Sequence, residues 1–180
     1  LEDEKDFIKA LLDPKTQNVA FERLLAAFQK PLYAHIRNIV LNHDDADDVL
    51  QNTFVKVYQN LKNFKGESKL FSWMYRIATN ESITFINAKA KRNGQTSEAF
   101  QQKQVENLRA DDYFDGDAVQ LKLQKAIVEL PEKQQLVFKM KYFQEMKYEE
   151  ISEILGTSVG GLKASYFHAV KKIEDFMKKD

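Results

Sequence analysis

Two groups of residues have types and spacings that could bind nucleic acid. The first is aromatic and basic: Phe64, Phe71, Trp73 and Tyr75 stand among Lys65, Lys69, Arg76, Lys89, Lys91 and Arg92. Flat rings stack on unpaired bases and nearby cations seek phosphates, so this is the composition of a single-strand binding face. The same rings could merely pack against the preceding helices, and composition leaves both options open. The second group is KYEEISEILGTSVGGLKASYFHAVKKI, from Lys147 to Ile173. Ile151, Ile154 and Leu155 recur at helical spacing, Gly156-Thr157-Ser158 interrupts them, and Leu162, Tyr166, Ala169 and Ile173 resume the stripe. Two short helices about a tight turn have the shape of a helix-turn-helix, whose second helix enters a DNA major groove. Ser158 is placed to cap that helix. Its other face carries Gly161, Lys163, Ala164, Ser165, His168, Lys171 and Lys172, small residues for close approach and cations for phosphates. Two ordinary packed helices around a glycine turn would look much the same.

Other chemistry finds little support. His35, His43 and His168 are isolated, so no metal-binding cluster is expected, and the chain has no cysteine for disulfides or thiolate sites. No Walker phosphate loop or nucleophile elbow is present. Asp44, Asp45, Asp47 and Asp48 could suggest a divalent cation, but they head a helical run without an EF-hand turn. Asp44 reads as the cap, with Asp47 and Asp48 in the first turn, where carboxylates favour the helix dipole. Neither a cofactor nor catalysis by this chain is expected.

The elements that must position these groups are helical. Only three prolines and six glycines punctuate long apolar-periodic runs, and no apolar run approaches membrane-span length. The opening LEDEKDFIK is unlike a signal sequence, and Leu1 reads as a trimmed start. Asp3 to Leu12 predicts a short helix and Asn18 to Leu41 a long one, which Pro31 should kink or divide. In the next helix Leu50, Phe54, Val57, Tyr58 and Leu61 should face inward. NFKGESK, Asn63 to Lys69, is a polar loop, and a long helix follows with Leu70, Met74, Ile77 and Ala78 inside. Residues 95–117 are polar and acidic and predict a linker, flexible or only partly helical. From Ala118 onward, Leu123, Ile127, Leu130, Leu136, Val137, Met140 and Phe143 supply the core of a second module. The expected fold is therefore all-α: two small helical domains, 1–94 and 118–180, joined by the acidic linker 95–117, the second containing the helix-turn-helix. Net charge is zero, but residues 61–95 carry +5, residues 96–117 carry −4 and residues 159–180 carry +2. The linker's acids could lie over a basic DNA-binding surface.

Taken together, DADDVLQNTFVKVYQNLKNFKGESKLFSWMYRIATN and LPEKQQLVFKMKYFQEMKYEEISEILGTSVGGLKASYFHAVKKI resemble the extracytoplasmic-function (ECF) group of bacterial RNA polymerase sigma factors. The likeness covers most of residues 18–92 and 120–176. It implies promoter-specific transcription initiation in the cytoplasm. Asp45, Asp48, Gln51 and Asn52 would dock on the clamp helices of the polymerase β′ subunit, and the β flap would be a further contact. Phe64, Lys65, Glu67, Ser68 and Lys69 would form the loop that captures a flipped base of the −10 element. Phe71, Trp73, Tyr75, Arg76 and Asn80 would hold the opened strand. Ser158, Gly160, Lys163, Ala164, Ser165 and His168 would read the −35 duplex, with Lys171 and Lys172 toward phosphates. An anti-sigma protein, often membrane-anchored, would mask these surfaces.

Some positions depart from the family pattern. Gly161 stands where a threonine is usual, Ser165 where an arginine is, and Val170 where a basic residue is common. Ile83 to Ala88 is less polar than the usual stretch behind the −10 reader. Losing arginines from the recognition helix should weaken or redirect −35 reading. Two other classes stay open on the residues alone. One is a helix-turn-helix regulator whose first half is an interaction domain, and the other is a helical scaffold that binds only protein.

Overall fold

Helical periodicity governs the chain from end to end. The computed structural model describes residues 3–179; Leu1, with the trimmed start read from it, Glu2 and Asp180 lie outside the described residues. Among the described residues there are nine α-helices and no strand. They are α1 (Glu4–Leu12), α2 (Gln17–Val40), α3 (His43–Asn60), α4 (Leu70–Arg92), α5 (Ser97–Asn107), α6 (Ala118–Val128), α7 (Glu132–Tyr142), α8 (Tyr148–Leu155) and α9 (Val159–Met177).

Helices α2, α3 and α4 pack on one another through the stripes the sequence predicts: Leu24, Leu32, Ile36, Leu50, Phe54, Val57, Met74 and Ala78 are buried, and Val49, outside the predicted stripe, joins them. Pro31 does not divide α2, which runs unbroken through it. Both Pro31 and Ala27, whose carbonyl loses its partner at that turn, are exposed, so water can satisfy the freed oxygen. Tyr58, expected inside, is exposed; its ring stands edge-on to Phe21 at 5.1 Å and its hydroxyl donates to Gln17 Oε1. The cap of α3 is also displaced from expectation. Asn42, not Asp44, accepts the Asp45 N–H at 2.9 Å, placing Asp44 and Asp45 in the first turn.

The second half, α6 to α9, does not keep its core to itself. Ala126, Ile127, Leu130, Phe138, Ala169 and Ile173 form one cluster. Val137, Met140, Met146, Ile151, Ile154 and Leu162 instead join the cluster of α2, α3 and α4. Helix α8 packs directly on α4. A four-helix unit of this size has little interior of its own, and burying a second apolar face against the first half enlarges it. A polar seam crosses the same junction. Thr79 Oγ1 donates to the Tyr75 carbonyl at 2.7 Å, so it accepts from His35 Nε2–H, also at 2.7 Å. His35 Nδ1 is then the acceptor and Gln144 Nε2 donates to it at 2.9 Å. Burial lowers the imidazole to about 4, so it is neutral at physiological pH.

Residues 95–117 are helical over α5, which packs on α4 with the Phe100 ring 5.9 Å from Lys89 Nζ. Val105 and Leu108 pack with Leu41. Arg37 donates to Asp111 Oδ2 at 2.7 Å, and Tyr113 stacks on His43 with ring centroids 3.6 Å apart. Burial would raise the Asp111 carboxyl, but the Tyr113 N–H and the Arg37 guanidinium outweigh it and hold the group below its usual range. Asp117 caps α6 through the Gln120 N–H. Asp111 and Asp117 are thus engaged with α2 and with backbone N–H groups of their own segment.

Candidate nucleic acid interface

The loop between α3 and α4 begins at Phe64, the last residue of a tight turn over Leu61–Asn63. Lys65, Gly66 and Glu67 are exposed, and Gly66 takes φ +72°, a conformation that suits glycine. Phe64 and Trp73 are half-buried with ring centroids 5.1 Å apart, so part of each ring remains accessible. A cleft of about 470 Å³ opens between them, walled by Lys65, Glu67, Ser68 and Arg76. The start of α4 lacks a cap from its own Lys69; the carboxylate of Glu4, far away in α1, accepts the Leu70 N–H at 3.0 Å.

Three residues expected at functional faces are placed otherwise. Tyr75, expected on the strand-holding face, is 2 % exposed, packed between Phe71 at 4.1 Å and His35 at 4.9 Å. Burial, then the charge of Glu150, pushes its phenol up to about 12. Asp45, expected on the docking face, is 7 % exposed and accepts from Lys89 Nζ at 2.7 and 2.8 Å. Arg76 has its guanidinium turned to α8, donating to the carbonyls of Glu153 at 2.8 Å and Ile154 at 3.3 Å. Those oxygens are among the unsatisfied acceptors at a helix C-terminus, where a cation also favours the dipole. Phe71 is half-buried, while Lys69 and Asn80 are exposed. Asp48, Gln51 and Asn52 are exposed on α3, and Val55, which sequence reasoning passed over, continues their stripe at 53 % exposure.

In the second half, α8 ends at Gly156 with φ +68°, and Ser158 Oγ accepts the Gly161 N–H at 3.1 Å to begin α9. Ile151, Ile154, Leu162, Ala169 and Ile173 are buried. Gly160, Lys163, Ala164, His168 and Lys171 are exposed along α9, with Ser165 half-buried. Lys163 Nζ lies 5.8 Å from the Tyr148 ring centroid, and Lys172 donates to Gln134 at 3.1 Å. Phe167, 65 % exposed, stands among these residues and was not anticipated. Its spacing from Gly160, Ala164 and Lys171 was the available signal, and an exposed ring there could contact a thymine methyl.

Comparison with known proteins now bears on this geometry. The family description Sigma-70 region 2 matches residues 24–92, and Sigma-70, region 4 matches residues 120–173. Together they take in more than half of the chain. The ECF RNA polymerase sigma-E factor of Haemophilus influenzae is 27 % identical over 166 residues, covering 87 % of this chain and 86 % of its own. The chain belongs to the ECF group of the sigma-70 family. The RNA polymerase sigma-H factor of Pseudomonas aeruginosa is also 27 % identical, over 173 residues, with 86 % of this chain and 84 % of its own covered. As a sigma factor, the protein directs RNA polymerase in promoter-specific transcription. Two solved structures share the fold. CnrH in complex with the cytosolic domain of CnrY superposes with a TM-score of 0.71 at 21 % identity, over 99 % of both chains. The sigma factor RpoE in complex with the anti-sigma factor NepR from Bartonella quintana gives 0.64 at 20 %, over 89 % of this chain and 98 % of that one.

Proposed function

We propose that the first half of this sigma factor, residues 1–94, captures and holds separated −10 DNA, while 118–180 contacts the −35 duplex and 95–117 connects them. The observation that carries the first assignment is the cleft lined by the half-buried rings of Phe64 and Trp73 and rimmed by Lys65, Glu67 and Ser68. A flipped base loses a few kcal/mol of stacking, which aromatic faces in such a cleft offset. Phe71, Lys69, Asn80 and, once released from α8, Arg76 extend the path for the strand. In the second half, Ser158, Gly160, Lys163, Ala164, Ser165 and His168 form the reading edge of α9. Phe167 joins them, and Lys171 and Lys172 turn toward phosphates. The chain carries no nucleotide chemistry of its own in this scheme; that stays with the polymerase core.

Polymerase docking falls to Asp48, Gln51 and Asn52, with Val55 continuing the stripe at i+7 of Asp48. This stripe suits the β′ clamp helices, and the β flap is assigned to the second half. RpoE and CnrH are each held by a protein partner in their solved complexes. That supports an anti-sigma factor for this chain too, one held at a membrane in this reading, with the chain itself working in the cytoplasm. No helix among the described residues is long and apolar enough to cross a membrane.

Reconstituted transcription with polymerase core tests the scheme. Trp73→Ala should abolish strand opening while leaving polymerase affinity intact, and Lys163→Ala should weaken upstream duplex contact. Unchanged open-complex yield in both variants would refute the assigned sites. Duplex binding independent of polymerase would favour a simple helix-turn-helix regulator.

A further inference from the structure

A second cavity, of about 510 Å³, opens where α2, α4, α5, α6 and α7 converge, and it shares no lining residue with either DNA-binding face. One wall is Ile39, Ile83 and Ile86; the facing wall is Val128, Leu130 and Leu136. Lys139 completes the lining at 4 % exposure. Its ammonium has no hydrogen-bond or ion-pair partner among the described residues. Burial lowers it from 10.5 to about 8, with no carboxylate close enough to offset the desolvation. It is therefore still largely protonated at neutral pH, a buried cation without a counter-ion. Such a group is costly unless an anion joins it.

The rest of the lining narrows what that anion is. Asn87, Ser97, Gln101 and Gln102 offer uncharged polar groups. The lining also includes Glu98, Glu129 and Glu132, all exposed, which repel a multiply charged ligand. His35, from α2, is near enough to feel the charge of Lys139 but is neutral. Aliphatic walls with one buried cation match a single negative charge on an apolar body, and the volume falls within the usual range for small-molecule sites. A helix with its side chains is about 10–12 Å across, too broad to bring an acid down to a group so deeply covered.

We propose that this cavity binds a small amphiphilic carboxylate, its head on Lys139 and its apolar body between Ile83, Ile86, Val128 and Leu136. Because the walls come from both halves of the chain, the occupant ties them together and stabilises the packed arrangement.

The probes are octanoate, decanoate and 2-naphthoate, with decanol and acetate as controls. Each is titrated into the full chain and followed by backbone-amide NMR and thermal unfolding. The acids should shift amides of residues 83–87, 97–102 and 128–139 and raise Tm. Decanoate should bind at least about ten-fold more tightly than decanol, a margin of about 1.4 kcal/mol. Lys139→Met should bring that ratio close to one while its remaining spectrum shows a folded chain. Ile83→Trp, which keeps the lysine and fills the space, should weaken every acid. The proposal is overturned if no acid binds with Kd below about 1 mM. A ten-fold preference surviving in Lys139→Met, or shifts confined to other surfaces, overturns it equally. Shifts at the same amides produced only by an acidic partner helix, and by none of the acids, would reassign the cavity to a protein.

Discussion

His35 should make this protein acid-sensitive in a way that one substitution removes. Its imidazole is wholly buried at the seam between the halves, with Nε2–H given to Thr79 and Nδ1 accepting from Gln144. Protonation would place a charge in the core, and burial, aided by the Lys139 charge and opposed by the Gln144 side chain, lowers the folded-state value from 6.5 to about 4. The unfolded chain therefore binds the proton first as pH drops. The contribution to stability is fully present above pH 6.5 and is lost progressively as pH falls toward about 4. Across that whole interval the loss is about 3 kcal/mol, of which about 2 kcal/mol is gone by pH 5. The assay is urea unfolding of wild type and His35→Leu at pH 7 and pH 5. The variant should be less stable at pH 7, because Thr79 and Gln144 lose a partner. The gap should shrink by about 2 kcal/mol at pH 5. Parallel losses in the two proteins would refute the argument, as would a wild type unchanged between these pH values.

Lys163→Ala should lower duplex affinity about uniformly across sequences and reduce the slope of log affinity against log salt by about 1, measured by fluorescence anisotropy. Asp45→Ala should cost about 1–2 kcal/mol in unfolding experiments, since it strands a cation that can still turn partly to water. Asp48→Ala should leave stability within about 0.5 kcal/mol and weaken polymerase binding. Wild-type stability should rise with pH between about 8 and 10.5, where the unfolded chain holds a proton that buried Lys139 releases. Lys139→Met should remove that rise and be about 3 kcal/mol more stable at pH 7, seen by chemical denaturation across the alkaline range.

What could be read in the residues divides by range. The Gly156 turn, the Ser158 cap and the buried stripes of α2, α4, α8 and α9 are set by neighbours three or four positions away, and periodicity finds them. The stripe Asp48, Gln51 and Asn52 comes instead from the family resemblance, and all three are exposed on α3. The misses come from partners far along the chain. Nothing near Asp45 announces Lys89, nothing near Leu70 announces Glu4, and the burial of Tyr75 depends on His35. The cap of α3 was displaced by a choice among adjacent residues, where Asn42 outcompeted an equally suitable aspartate. Phe167 lies off the inward stripe Leu162, Tyr166, Ala169 and Ile173 and was passed over because only small and cationic residues were sought on the opposite face.

The guanidinium of Arg76 closes the exposed carbonyl end of α8 and also lines the cleft beside Trp73. Its Nε and Nη2 face the two peptide oxygens, so a phosphate that drew the whole guanidinium into the cleft would compete with them. A strand that enlists Arg76 would therefore loosen one polar tie between α4 and α8, while the apolar contact of those helices remains, and tighter packing there would weaken its grip by the same factor. On the proposed reading, grip on the melted element and the seating of α8 on α4 are then coupled through one side chain.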